Sequence, residues 1–312
     1  MVSASLVPVY LHLISLTLVG WGLGRTLPSV VPLVLGKFLF WVGIPIGIFA
    51  FLRQATLSFS LWLAPVVACT SIVLGGSLGW FYLRWRSGQV GDRCLSVTKG
   101  SFLLSSMVGN TGYIGYPVSL ALFGQDYFSW AMFFDLGSTV GAYGLGAAMA
   151  SRFGIERENQ PSIAREMLLN PALWGMAAGL VMRPVRFPAP LEQGLVGIGW
   201  FTISLALVLI GMRLSQISSI KGIRLAIASI GIKMLVVPLV VGLLLLACGV
   251  SGLVHRVLLL QMAMPPAFAT LILAEAYELD KTLTVTSLTI GSLGLLFTLP
   301  IWLWLFPINL PN

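Results

Sequence analysis

Apolar runs long enough to cross a lipid bilayer recur along almost the whole of the 312-residue chain, and no other feature restricts its fold so severely. A run of about 20 mostly apolar residues spans hydrocarbon as a helix. Spans are expected at 6–24, 30–51, 60–83, 99–123, 127–151, 169–183, 190–212, 223–248, 254–277 and 281–306. Ten such helices leave room only for short connections and for no soluble domain. Composition agrees, with 57% hydrophobic and 9% charged residues, where a soluble domain has about 45–50% and about 25%. That excludes an ordinary globular enzyme.

Met1 to Ser5 carry no Lys or Arg, so the first run is read as a helix and not as a cleaved signal. Cys69, Cys94 and Cys248 form no CxxC pair, so neither a metal site nor a disulfide framework is expected. The formal charge of +8 does not point to nucleic acid, because the basic residues lie between apolar runs instead of clustering. Their distribution sets orientation. With the N-terminus outside, thirteen of the eighteen Lys and Arg residues fall on the cytoplasmic side. Four fall outside (Arg53, Arg183, Arg186 and Arg256), and Lys233 lies within a span. This positive-inside bias predicts a multi-pass protein of the plasma or inner membrane with both termini on the non-cytoplasmic side.

The polar loop 153–168 divides the spans five and five. Two tandem five-span units, 1–152 and 169–312, must have opposite orientations because five is odd, which is the inverted-repeat layout of many secondary transporters. The fourth span of each half is interrupted. The first contains Gly109, Asn110, Thr111, Gly112, Tyr113, Gly115, Tyr116 and Pro117, and the second Gln261, Met264, Pro265, Pro266 and Ala267. Glycines weaken a helix, and two prolines remove two backbone donors. The spacing matches as well: Asn110 stands before Asp126 as Met264 stands before Asp280. Helix ends exposed at membrane depth need protein or a water-lined cavity beside them, and their N-terminal amides favour anions. Ordinary packing kinks are the alternative, since Gly and Pro are frequent in membrane helices. Two matched breaks favour a transport site.

These residues also carry a family resemblance. Gly109-Asn-Thr-Gly-Tyr-Ile-Gly-Tyr-Pro117 resembles the broken fourth helix of the auxin efflux carrier family, and Ala263-Met-Pro-Pro-Ala267 leading to Leu273-Ala-Glu-Ala-Tyr277 resembles its broken ninth helix. Pro45, Asn170-Pro171, Lys233 to Pro238 and Thr298-Leu-Pro300 fit the same pattern, so the resemblance covers nearly the whole chain. It implies the ten-helix fold of sodium/proton antiporters and bile-acid transporters, with crossed broken helices 4 and 9. Spans 1, 2, 6 and 7 would form a scaffold, and spans 3–5 and 8–10 a transport domain. It implies carboxylate substrates, such as auxin or malate and malonate, and puts the carboxylate-contacting Asn of the family on Asn110. The long loop of the larger plant carriers is absent, as is a proline between Phe201 and Met212 to match Pro45.

Asp135, Lys233 and His12 lie inside expected spans, and Glu275 near the end of one. Charge at the bilayer centre is costly, so such residues face cavities and have partners. Asp135 is the first candidate for proton or ion coupling, with a structural ion pair or a protonated acid bonded to a hydroxyl as the alternatives. Lys233 pairs with an acid, snorkels to the inner face, or binds substrate. His12 is a hydrogen-bonded core residue or lines the pore. Glu275, Glu278, Asp280 and Lys281 read as a solvated turn, from which Glu275 would reach inward. Trp85, Trp302 and Trp304 read as interfacial anchors.

Gly75-Gly-Ser-Leu-Gly79 has esterase GxSxG spacing, but no strand precedes it, and it reads as close helix packing. Gly20–Gly24, Gly43–Gly47, Gly137–Gly141 and Gly175–Gly179 read the same way. No HExxH, P-loop or zinc ligand set occurs. The expectation is an alternating-access carrier of a small organic anion, not an enzyme, without cofactor. Asn110, Thr111 and the backbone amides at both breaks would hold the anion, and Gln261, Tyr113 and Tyr116 would shape the pocket. Its partners would be the substrate and the bilayer, with a homodimer through scaffold helices to brace the movement. The competing reading is a sodium- or proton-coupled cation transporter on the same fold.

Overall fold

The computed structural model describes residues 2–55, 57–90, 95–154, 168–215 and 222–306, with the side chains of residues 2–10, 12, 13, 87–90 and 214 outside the description. His12, Cys94 and most of the 153–168 loop therefore lie outside the residues whose side chains are described. Every regular element described is helical: α1 Val2–Thr26, α2 Val30–Gln54, α3 Leu63–Val90, α4 Ser96–Met107, α5 Tyr116–Phe123, α6 128–153, α7 Pro171–Val181, α8 Ala189–Ser215, α9 Ile223–Ala247, α10 Gly252–Met262, α11 Phe268–Ala276 and α12 Lys281–Leu305.

Five stretches of 25 to 28 residues are long and apolar enough to cross a membrane: Val30–Gln54, Phe59–Arg86, Ala189–Arg213, Ile223–Ala247 and Lys281–Leu305. At 1.5 Å per residue they extend about 37–42 Å, more than the hydrocarbon thickness of about 30 Å. Large apolar side chains on them are bare, Phe297 at 74% and Trp304 at 80% exposure among others, a surface that suits lipid and not water. The chain is a helical membrane protein. The helices α7 and α10 are apolar but only 11 residues long. Asn170 starts α7, its side chain accepting from the Ala172 amide at 3.0 Å with Pro171 in the first turn, the usual chemistry of a helix start.

Proline dictates the irregularities of the long helices. It has no N–H, so the carbonyl four residues earlier loses its donor and the helix widens to an i→i+5 turn. Such π turns occupy Leu39–Gly43, Thr111–Gly115 and Ile232–Val236. Each is followed at the second residue by Pro45, Pro117 or Pro238. A fourth, Ala142–Gly146, has no proline and contains two glycines. The helix α8, without a proline to match Pro45, runs for 27 residues unbroken.

The chain forms two compact units. One comprises Met1–Leu61, Gly112–Met132 and Leu168–Ile217. Here α1 lies against α8 at Gly20 and Gly24, where a Cβ on Gly24 would stand 2.7 Å from the Met212 Cα. Gly175 admits α2, its missing Cβ only 2.5 Å from the Pro45 carbonyl oxygen. Small residues thus let backbones touch, as the GxxxG spacings predict. Arg53 fastens the end of α2 to the turn ahead of α8. Its guanidinium binds Glu192 at 2.6 Å and the Val185 carbonyl at 2.6 Å, bonds the Met182 carbonyl, and lies 3.8 Å from the Phe187 ring.

The other unit comprises Trp62–Thr111, Phe133–Met167 and Ser218–Asn312. Its core contains Ile72, Phe102, Leu103, Met107, Val108 and Leu283. Gly75 meets the Ser106 backbone and Gly79 the Leu103 and Ser106 side chains, while Ser77 Oγ bonds the Val73 carbonyl of its own helix at 2.8 Å. The GxSxG run is therefore a packing surface. Asp280 is partly exposed and does more than meet solvent. It caps α12 through the Leu283 amide at 2.9 Å and accepts from Thr98 of α4 at 2.9 Å. Trp302 is not an interfacial anchor. It is 3% exposed, and its Nε1 donates to the Met234 carbonyl at 3.0 Å, which Pro238 deprives of its helical donor. Trp85 and Trp304 are exposed.

Candidate functional site: the paired helix breaks

Both interrupted spans are broken in the structure, and the two breaks bond to each other. The first helix, α4, stops at Met107, and Val108 is extended at φ −103°, ψ 120°. The helix α10 stops at Met262, and Ala267, ahead of α11, is extended at φ −82°, ψ 154°. Gly109 and Pro266 face one another as an isolated antiparallel bridge. The Asn110 amide donates to the Pro265 carbonyl at 2.7 Å, and the Ala267 amide to the Val108 carbonyl at 3.0 Å. The prolines dictate this arrangement. Pro265 and Pro266 have no N–H to offer, so they can accept but not donate. The residues on either side provide the donors that buried backbone requires.

This bridge changes one expectation. Free amides at both breaks were anticipated as anion donors, but those of Asn110 and Ala267 are committed to the pairing. Four side chains at the breaks are buried. Asn110 and Thr111 are 5% and 3% exposed, and Gln261 and Met264 are fully buried. Thr111 Oγ1 donates to Asp135 Oδ1, so the half-buried carboxylate on α6 is joined to the first residue of the π turn that follows the break. Gly291 of α12 supports the second break, and a Cβ there would lie 2.8 Å from Pro266 Cδ. Nothing in the sequence set this glycine apart from the other thirty-three.

Lys233 neither snorkels nor makes an ion pair among the described residues. It is 2% exposed, and its Nζ donates to the Met262 carbonyl at 2.9 Å. Pro266 stands four residues beyond Met262 and cannot supply that carbonyl's helical bond, so the lysine replaces it. Gly109 makes room for the lysine: a Cβ at this position would be 2.9 Å from Lys233 Cε and 3.1 Å from Nζ.

One unit therefore brings together Gly109, Asn110, Thr111, Met264, Pro265, Pro266, Ala267, Lys233 and Asp135. Gly112, Tyr113, Tyr116 and Pro117 belong to the other unit. There Gly112, Tyr116 and Pro117 line a cavity of about 20 Å³ with Phe51 and Phe128, room for about one water. Tyr113 Oη donates to the Gly36 carbonyl at 3.4 Å. Glu275 is exposed on α11 and does not reach inward. Among the described residues no group of His, Cys, Asp and Glu is arranged to hold a metal.

The profile of the family described as membrane transport protein matches residues 155–303, which include the second break and Lys233. An uncharacterized transporter of Methanocaldococcus jannaschii is 31% identical over 211 residues, 66% of this chain and 68% of its own. One of Methanothermobacter thermautotrophicus is 26% identical over 264 residues, 84% of each chain. The second alignment is too long to exclude both breaks, and the first extends well beyond either half of the chain. With helices that suit a bilayer and interruptions that resemble those of the auxin efflux carriers, these matches show that the chain belongs to the membrane transport protein family, that of the auxin efflux carriers.

Proposed function

We infer that the chain is a secondary carrier of small organic anions, with a carboxylate held at the paired breaks and released to either side by alternating access. The observation that carries this reading is the bond pair between Val108–Asn110 and Pro265–Ala267. Two interrupted helices meeting inside one unit are the usual construction of a midplane transport site. Asn110 is the residue for the carboxylate, with a side-chain amide to donate. Asp135, tied to the break through Thr111, is the coupling group. We further propose ten spans in two inverted repeats, 1–152 and 169–312, with spans 1, 2, 6 and 7 as scaffold, a homodimer through them, and both termini outside. Efflux is the proposed direction.

Asp135 favours one second reading, a sodium- or proton-coupled cation carrier in which this acid is the ion site. The two readings separate in proteoliposomes. Uptake of a panel of radiolabelled carboxylates is measured under sodium, proton and no gradient. Saturable carboxylate uptake supports the anion carrier. Cation flux without any carboxylate flux overturns it in favour of the second reading.

A further inference from the structure

Lys233 is one of the largest fully buried side chains among the described residues, and the bond to Met262 accounts for only part of what it offers. An ammonium has three donors. Within the described residues a single bond is made, to the Met262 carbonyl at 2.9 Å, and no carboxylate pairs with it. A buried cation with one neutral acceptor is far from satisfied, because burial of charge is offset only by pairing and full hydrogen bonding. The fold nevertheless goes to some length to hold it there. Lys233 sits in the π turn that Pro238 imposes on α9. Pro266 leaves the Met262 carbonyl open to receive it, and Gly109 lacks the side chain that would collide with it. The result is a buried amine set against the backbone of the residue before Asn110, beside the paired breaks.

We propose that Lys233 is the counter-charge for the transported anion: one ammonium hydrogen holds Met262, and the others are reserved for an ionised carboxylate seated beside Asn110. This rests on the carboxylate-carrier reading and assigns that site its charge selectivity. An ammonium here makes the site cationic, so the preferred occupant is a carboxylate anion over its neutral amide, and no metal cation is needed to neutralise a monoanion. A lysine present only to cap Met262 would give no such preference, since a neutral donor caps a carbonyl as well.

The test compares benzoate and succinate with benzamide and succinamide. Each is applied to the purified full-length protein in detergent, read as thermal stabilisation, and to proteoliposomes, read as uptake or competition. Wild type and Lys233→Arg are expected to select the carboxylates. Lys233→Gln, which keeps a donor for Met262, is expected to lose at least about tenfold of that preference, as removal of a charge-assisted bond does. Lys233→Met, with a similar stem and no donor, is expected to lose it too and serves if the glutamine variant does not fold. Undiminished carboxylate preference in either neutral variant overturns the proposal and leaves the carrier reading intact. A wild-type protein indifferent to both carboxylates overturns both.

Discussion

Replacement of Gly109 by alanine tests the packing at the paired breaks. The new methyl would stand 2.9 Å from Lys233 Cε, 3.1 Å from Nζ and 3.3 Å from the Met264 carbonyl oxygen. The lysine is buried and its end is bonded to Met262, so it cannot yield without leaving that carbonyl. Overpacking alone costs about 1–3 kcal/mol, and a lost hydrogen bond to a charged group about 1.5–3 kcal/mol. These overlap, because the lysine escapes the clash by giving up the bond, so a loss of about 2–4 kcal/mol is expected for Gly109→Ala. At roughly 2–4 °C per kcal/mol, the midpoint of thermal unfolding in detergent, followed by tryptophan fluorescence, should fall by roughly 4–16 °C. The same change in a Lys233→Ala background meets only the Met264 carbonyl, and there alanine should cost much less. Independent sites would instead add within about 0.3–0.5 kcal/mol. Equal losses in the two backgrounds, or a midpoint that Gly109→Ala leaves at its wild-type value, would refute the contact.

Three further changes probe other parts of the same unit. Trp302→Phe should leave the Met234 carbonyl without its donor and destabilise by about 1–3 kcal/mol. Pro238→Ala in the same chain restores a backbone N–H and should recover part of that loss, again read by thermal unfolding. Asp135→Asn removes the acid that Thr111 holds. If Asp135 carries the coupling proton, substrate-driven pH change in proteoliposomes should vanish while substrate binding persists. Unaltered proton flux would remove Asp135 from the mechanism.

The breaks were legible because their cause is local. Pro265 and Pro266 lack donors wherever they stand, and Gly109, Gly112 and Gly115 weaken a helix without help from neighbours. The start of α7 at Asn170-Pro171 has an equally local cause. What one break does for the other was not legible, because the bridge from Gly109 to Pro266 is a tertiary contact. Its consequence, two amides already engaged, could not be read from the chain. For Lys233, Trp302 and Asp280 the sequence offered only a position relative to a span end. That position leaves Lys233 ion-paired, snorkelling or substrate-binding, and suggests an interfacial ring at Trp302 and a solvated turn at Asp280. In fact Lys233 and Trp302 answer carbonyls that prolines had left open, and Asp280 caps a helix while bonding its neighbour. The signal was present, four residues ahead of Pro266 and Pro238, but the partner was not.

Carboxylate recognition at the paired breaks is tested most directly through Asn110. Concentration-dependent carboxylate uptake is measured in proteoliposomes for wild type, Asn110→Ala and Asn110→Asp, with matched protein insertion. The carrier reading predicts saturable uptake by the wild type, strong loss with alanine, and a further loss with aspartate, which adds repulsion. Uptake by both variants equal to that of the wild type would contradict it.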